Sequence, residues 1–497
     1  MIKHTLSALF LGLSAASSAW ADDTLKIANL ALPEGRGVPH MAIGTPYFMI
    51  WPAIFDGLTN IGPDGKAMPM LATEWAPLNP QTWRFKIRPG ITFSNGELVD
   101  AAAVAATMAT LATPEAVKWS VYNAFRGITG AKVVDALTVD ITTDPPDRLL
   151  PNRIGALRIL PPAYWAKVGA EGFAKQPIGS GPYVVDRWDP TLMKMSANPK
   201  SWRAPKIAKV EIREVPEGTA RLQGLLSGAI DLALYLNPED KAAVEAEGGH
   251  IVTRSGGGVE VLAFVTVKDS PLKDKRVRQA LNYAVDKQAI VDGLLGGMTS
   301  PASQPAPRGV SGRDDTLAPF PYDPAKAKAL LAEAGYAKGF SFMSETSSGG
   351  RGPSAAIAQK IAQDLAAVGV RMEVRAVPQS KIFRAAYDGS FDGQAFTMMY
   401  GSIPYMDALT SLRLHSCLWQ TPWNCVPEYA ERIKQAYAAF DPVERERLTK
   451  ALVRDIRDDA PALWLYDDVT FDGVSASVKN YKPVFSTINY ETLELAK

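Results

Sequence analysis

The stretch Trp83–Asp100 constrains the fold of this chain more than any other, because an alternating strand, two turns and a helix start follow one another there without interruption. Trp83, Phe85 and Ile87 fall on one face and Arg84, Lys86 and Arg88 on the other, the period-two pattern of a strand buried on one side only. Pro89-Gly90 and Asn95-Gly96 are turn dipeptides. Asp100 then stands where a carboxylate caps the free N–H groups of a helix over 101–112. Helix and strand signals interleave in the same way along the rest of the chain, which points to mixed sheets covered by helices.

The N-terminal segment carries a different message. Lys3 precedes an apolar run over 6–13, and Ala19-Trp20-Ala21 offers a small-x-small cleavage site before Asp22-Asp23. This reads as a secretory signal peptide over 1–21, since the apolar run is too short to cross a bilayer core of ~30 Å. No cysteine adjoins the junction, so a lipid anchor is not expected, and the mature chain is expected free in a periplasm. No later apolar run reaches membrane-spanning length. At 497 residues the chain exceeds what one core can serve, and two or three domains are expected.

Charge and cysteine content narrow the function. Lys plus Arg number 53 and Asp plus Glu 52, a balance that argues against nucleic acid and anionic membrane surfaces as partners. The two cysteines, Cys417 and Cys425, lie close together in an exported chain, where a disulfide closing a short loop is expected to contribute roughly 2 to 3 kcal/mol. Only four histidines exist, none at ligand spacing from these cysteines, so no metal site or other cofactor is expected. Hydrolase and phosphate-loop patterns are missing. Ser270-Pro-Leu-Lys273 fits Ser-x-x-Lys without its companion motifs, and Gly179 and Gly181 flank Ser180 with no Lys-Ser/Thr pair after them. A binding protein, not an enzyme, is therefore expected.

Trp83–Asp100 resembles the signature region of the family 5 extracytoplasmic solute-binding proteins, receptors of peptide and nickel ABC importers. That family reads Trp-x-Phe-x-Leu-Arg-x-Gly-Val-x-Phe-x-Asp-Gly; here Ile87 stands for Leu and Asn95 for Asp. Further blocks follow in the family's order: Ile54-Phe-Asp-Gly-Leu58, Pro69-Met-Leu-Ala-Thr-Glu-Trp75, Pro177-Ile-Gly-Ser-Gly-Pro-Tyr183, Arg276 to Asp286, and Tyr322 to Tyr336. In the fourth, Val277, Leu281, Ala284 and Val285 form one helical stripe, with Lys275, Arg278 and Asn282 expected elsewhere. In the fifth, Asp323 caps, Pro324 opens and Gly335 ends a helix.

The resemblance implies an α/β, periplasmic binding protein-like fold of the type II or cluster C kind. It has two lobes with mixed sheets around a cleft, plus an extra small domain. Lobe I comprises 22–57, 173–266 and 467–497, lobe II 267–466, and the extra domain 58–172. It further implies a monomer that binds an oligopeptide or dipeptide in the interlobe cleft and delivers it to an inner-membrane ABC permease complex. The alternative is a non-peptide solute, such as an amino-acid conjugate, an oligosaccharide or a metal chelate. His40, His250 and His415 are too scattered to favour a chelated metal.

For a peptide, the buried amino group needs an acid and the carboxylate a cation. Asp407, at the end of the segment Tyr400 to Asp407 that also holds Ser402 and Tyr405, is the candidate acid, and Arg351 in a Gly-rich loop the candidate cation. Trp51, Trp119, Tyr122, Tyr405 and Trp419 are candidate aromatic walls, with Trp419 inside the Cys417–Cys425 loop.

Overall fold

The computed structural model describes residues 23–33, 35–42, 44, 46–348 and 353–496; the expected leader and Arg351 lie outside them. The opening stretch folds as its pattern dictates. Thr82–Ile87 is a strand with Trp83, Phe85 and Ile87 buried, Gly90 and Gly96 take positive φ in the two turns, and Asp100 accepts from the Ala103 N–H at 2.9 Å to cap Ala101–Leu111. The strand sits second in a four-stranded antiparallel sheet, in the order Ala72–Asn79, Thr82–Ile87, Thr138–Thr143, Ile128–Asp135. This sheet belongs to the expected extra segment. Its apolar face, however, shares one continuous core with the neighbouring lobe, in which Trp51, Phe55, Trp119 and Phe173 all take part.

A ten-stranded sheet runs through both lobes. Its order is Val370–Pro378, Phe340–Ser348, Ala395–Gly401, His250–Phe264, Ala462–Val474, Leu232–Leu236, Thr24–Asn29, Lys209–Glu214, Leu192–Ala197 and Tyr183–Trp188. Thr24–Asn29 pairs in parallel with strands on both sides, and Phe340–Ser348 with Val370–Pro378, whereas the centre is antiparallel. Both faces of the second lobe's part carry apolar clusters, one under the helices Ala408–Leu414, Pro427–Ala438 and Pro442–Asp459, the other under Lys275–Ala284 and Ser354–Ala366.

The strand His250–Phe264 has fifteen residues and spans ~50 Å, enough to pass from one lobe into the other. Its first part pairs with Val469–Val474 in the first lobe, and its last part with both Ala462–Asp467 and Ala395–Gly401 in the second. The register breaks between Ser255 and Val259, at Gly256-Gly257-Gly258. Gly257 has φ 69°, and a Cβ on Gly256 would lie 1.5 Å from Asp468 Oδ2, so glycine is required at both. Partner exchange thus occurs well before position 267, where the second lobe was expected to begin. Its antiparallel mate also differs from expectation: a short strand at 462–466 proves to run from Ala462 to Val474.

The helical block 274–293 divides in two. Lys275–Ala284 ends at an extended Val285, and Lys287–Leu294 begins under an Asp286 cap that accepts from the Ala289 N–H. Arg278 and Asn282, expected away from the core, are buried. The Arg278 guanidinium donates to the carbonyls of Asp459 and Ala460, and Asn282 links the Ala462 carbonyl to the Trp464 N–H. These two polar side chains bind the helix to the start of the long strand.

On the first lobe's side of the crossing, Asp472 is fully buried. It accepts from Arg254 Nε at 2.7 Å, Tyr481 O–H at 2.7 Å and the Tyr235 N–H at 3.1 Å, while the Arg254 guanidinium lies 4.6 Å from the Tyr235 ring. Removing one partner of a buried pair strands the other charge. Asp472→Asn is expected to lower the unfolding free energy by about 3–5 kcal/mol, read by urea denaturation; a loss under ~1 kcal/mol would contradict this role.

Candidate functional site

The lobes meet over a small, partly open space. Its wall draws on five separated parts of the chain: Phe48; Asn60 and Ile61; Asn152, Gly155, Ala156 and Arg158; Ile403, Pro404 and Met406; and Val484 to Thr487. The cavity measures about 50 Å³, several times the ~10–15 Å³ that one water requires. Around it the lobes are fastened together. Asn152 Nδ2 donates to the carbonyls of Gly65 and Tyr405, each at 2.9 Å, and the Arg153 guanidinium lies over the Tyr405 ring. Arg148 stands near both Trp83 and Phe440, whose rings are 6.0 Å apart.

A larger cavity of about 290 Å³ lies inside the second lobe. The strands Phe340–Ser348 and Ala395–Gly401 pair only at Ser344 and Glu345, then diverge, and the gap fills with Thr346, Ser347, Thr397, Met399 and Phe383. The hydroxyls of Thr346 and Ser347 are buried there without partners. Ser348 and Ser354, which flank the Arg351 loop, lie close by, and Ser354 lines the cavity.

In the segment Tyr400 to Asp407 the side chains are disposed differently from expectation. Asp407 is fully buried, caps Ala408–Leu414 by accepting from the Leu409 N–H, and pairs with Arg445 Nη1 at 2.6 Å. Its carboxylate is therefore already matched by a cation of the same chain. Tyr400 is buried with its ring stacked 3.5 Å from that of His415. Ser402 heads a turn, donating its N–H to the Gly257 carbonyl and accepting from the N–H groups of Tyr405 and Met406; its hydroxyl is buried without a partner. Ile403, Pro404 and Met406 line the interlobe cavity; Asp407 and Tyr405 do not.

The aromatic candidates are packing residues. Trp51 is 1% exposed, and its indole N–H donates to the Ala42 carbonyl. Trp119 lies edge-on to Trp165 in the same core, and Tyr122 packs against it. Trp419 donates to the Ala386 carbonyl at 2.6 Å and lies against Tyr387, so the Cys417–Cys425 disulfide, with Cα atoms 4.5 Å apart, closes a loop seated on the helix Gln379–Asp388. None of the residues that line this cavity, Phe48, Asn60, Asn152, Arg158 and Phe485 among them, was a candidate from the sequence. Only Arg158 left a trace, as a charge inside the otherwise uncharged run 154–160.

Titration of the buried groups sets an acid limit. Burial pulls His415 down to about 3, with the backbone at Met399 opposing, and pulls His40 down to about 4, opposed by its 2.9 Å bond to the Arg158 carbonyl. Folded values below the ordinary 6.5 mean stability that is complete above that pH and lost as pH falls towards 3. Asp467, beside the register break, has the opposite sign. Burial raises it to about 6 against the pull of Arg313, so its contribution is complete below the unfolded carboxylate value and lost as pH rises through about 6.

Two outcomes follow. Asp407→Asn is expected to cost about 3–5 kcal/mol of stability by stranding Arg445, with denaturation midpoints as the measure; unchanged stability would free Asp407 for another role. His415→Phe is expected to flatten the fall in stability between pH 6.5 and 4, by about 2 kcal/mol at pH 5. An unaltered slope would mean that His415 is not held neutral by the fold.

Comparison with known proteins agrees with this architecture. The model of the bacterial extracellular solute-binding proteins, family 5, matches residues 66–416. The glutathione-binding protein GsiB of Pectobacterium atrosepticum is 31% identical over 434 residues, covering 83% of this chain and 82% of that one. Among solved structures, NikA of Brucella suis in complex with Fe(III)-EDTA superposes with TM-score 0.83 at 23% identity, over 95% of this chain and all of that one. The periplasmic binding protein DppA of Helicobacter pylori with the peptide STSA gives TM-score 0.76 at 21% identity, over 95% and 98%. The chain belongs to family 5 of the bacterial extracellular solute-binding proteins, substrate-binding components of ABC transporters and not enzymes.

Proposed function

We propose that this chain is the periplasmic receptor of an ABC importer, and that it holds a short peptide or peptide-like solute between its lobes. The observation that carries the reading is the interlobe cavity, whose wall combines both lobes and the extra segment. A solute bound there touches every moving part at once, and so it stabilises closure in proportion to the contacts it gains on closing. Entry requires the lobes to part, and the Gly256–Gly258 register break is the place where the crossing strand can bend. The export signal expected over 1–21 agrees with this role, as does the absence, among the described residues, of any helix long and apolar enough to cross a membrane. Delivery would be to an inner-membrane permease, by a monomer.

A second reading, a non-peptide solute, is favoured by one observation. The acid expected to receive a peptide amino group, Asp407, is occupied by Arg445. Solutes without a free α-amine would not miss it.

Native mass spectrometry of the mature protein taken from a periplasm separates the two. A set of bound masses that fragment as short peptides is the expected result; a single non-peptide mass would establish the second reading, and a protein free of any small molecule would overturn both. Glutathione, the solute named for the Pectobacterium relative, is the first compound to test on the stripped protein, with a raised melting temperature as the expected response.

A further inference from the structure

Arg158 stands out in the interlobe cavity. It is 8% exposed, and among the residues lining the space it alone carries a charge. Its guanidinium makes no hydrogen bond and no ion pair among the described residues, and its Nε is a buried donor without an acceptor. Asp56 favours its charge without bonding to it, because the Asp56 oxygens accept from Arg203, Ser180 and Trp202 at 2.6, 2.8 and 3.0 Å, while Arg203 also pairs with Glu491 at 2.8 Å. Arg203 adds repulsion, and burial pulls Arg158 down to about 10, which still leaves it fully charged at neutral pH.

A buried guanidinium without a direct hydrogen-bond partner is costly, and folded proteins pair such groups or give them to a ligand. Here the sequence holds it firmly in place. Its carbonyl accepts from His40 Nε2, its backbone bridges to Gly57, and its flanks Leu157 and Ile159 are fully buried. The side chain alone is left over. Guanidinium presents paired N–H donors in a plane that matches a carboxylate, and the space of about 50 Å³ beside it has room for such a group.

We propose that Arg158 is the anion anchor of this receptor and that its solute carries a carboxylate, or an equivalent planar oxyanion, which enters the interlobe cavity and supplies the acceptor that the guanidinium lacks. This rests on the receptor reading above and narrows it to acidic solutes. It gives the part expected of Arg351 to Arg158, and no free acid awaits an amine at Asp407.

The test uses the stripped full-length mature protein, with Arg158→Met and Arg158→Lys. Melting temperatures are recorded in sodium succinate against sodium chloride at equal ionic strength. Succinate is expected to raise the wild-type value above that in chloride, to leave Arg158→Met unmoved, and to act partly on Arg158→Lys. In chloride, Arg158→Met is expected to melt no lower than the wild type, since an unpaired charge has been removed; a marked fall would assign Arg158 a structural role and overturn the proposal. An equal succinate response in wild type and Arg158→Met, or none in the wild type, would do the same. Native mass spectrometry of both proteins from the periplasm keeps the two readings apart. Occupancy by an acidic solute at least tenfold lower in Arg158→Met is expected. Equal occupancy overturns the Arg158 assignment and leaves the receptor standing, whereas an empty wild type that still responds to succinate overturns the receptor reading and leaves the anion site.

Discussion

The buried pair of Arg254 and Asp472 is the interaction on which the rest of this architecture depends. It joins the two strands that carry the chain between lobes, and it does so on the first lobe's side of the crossing. Tyr481 and the Tyr235 N–H complete the carboxylate's acceptor capacity, so neither charge is stranded when water is excluded. With the strands pinned there by a network and held in the second lobe by regular pairing on two sides, the backbone has one weak stretch left. That stretch is Gly256–Gly258, where the ladder is interrupted and Asp468 occupies the space a side chain would need. On the receptor reading proposed above, this interruption is where the crossing strand bends as the lobes part.

The contacts that close the lobes are of a different kind. Besides the hydrogen bonds of Asn152, they include cations set against rings: Arg153 on Tyr405, and Arg148 beside Trp83 and Phe440. Such contacts are individually worth ~0.5–1 kcal/mol when exposed. They can guide closure without locking it. The extra segment supplies Trp83, Arg148, Asn152 and Arg153, so its fusion to the first lobe through one common core makes it the first lobe's arm across the cleft.

Much of this was legible in the sequence because the signals were local. The strand at Thr82–Ile87 and the caps at Asp100 and Asp323 depend on residues within a turn or two, and each formed where its pattern lies. Boundaries set by distant partners were not legible. The strand expected to stop at Tyr466 continues because Leu232–Leu236 and the first half of His250–Phe264 are there to pair with it. Helical periodicity placed Arg278 and Asn282 outside the core because it registers apolar residues alone, and both polar groups are buried by meeting the carbonyls of a segment far along the chain. At the site the same limit applied more severely. A carboxylate and several indoles have the right chemistry for a cleft, yet whether Asp407 faces a ligand depends on Arg445, and whether Trp51 does depends on the Ala42 carbonyl.

Arg445 and Arg158 show how one residue type serves opposite ends. Both are buried in the interior, and both come from parts of the chain that flank the cleft. Asp407 pairs directly with the first at 2.6 Å, a contact made within the second lobe. The second is unsatisfied, and its cost rises as closure removes water from the cavity around it. An empty closed form therefore carries a penalty that an open form avoids, and an anion in the cavity removes that penalty only on closing. That difference between the two states is the quantity a ligand needs in order to shift their balance. An arginine paired within the protein could not provide it, which is why the unmatched cation, and not the matched acid nearby, is the group through which solute binding can be coupled to lobe closure.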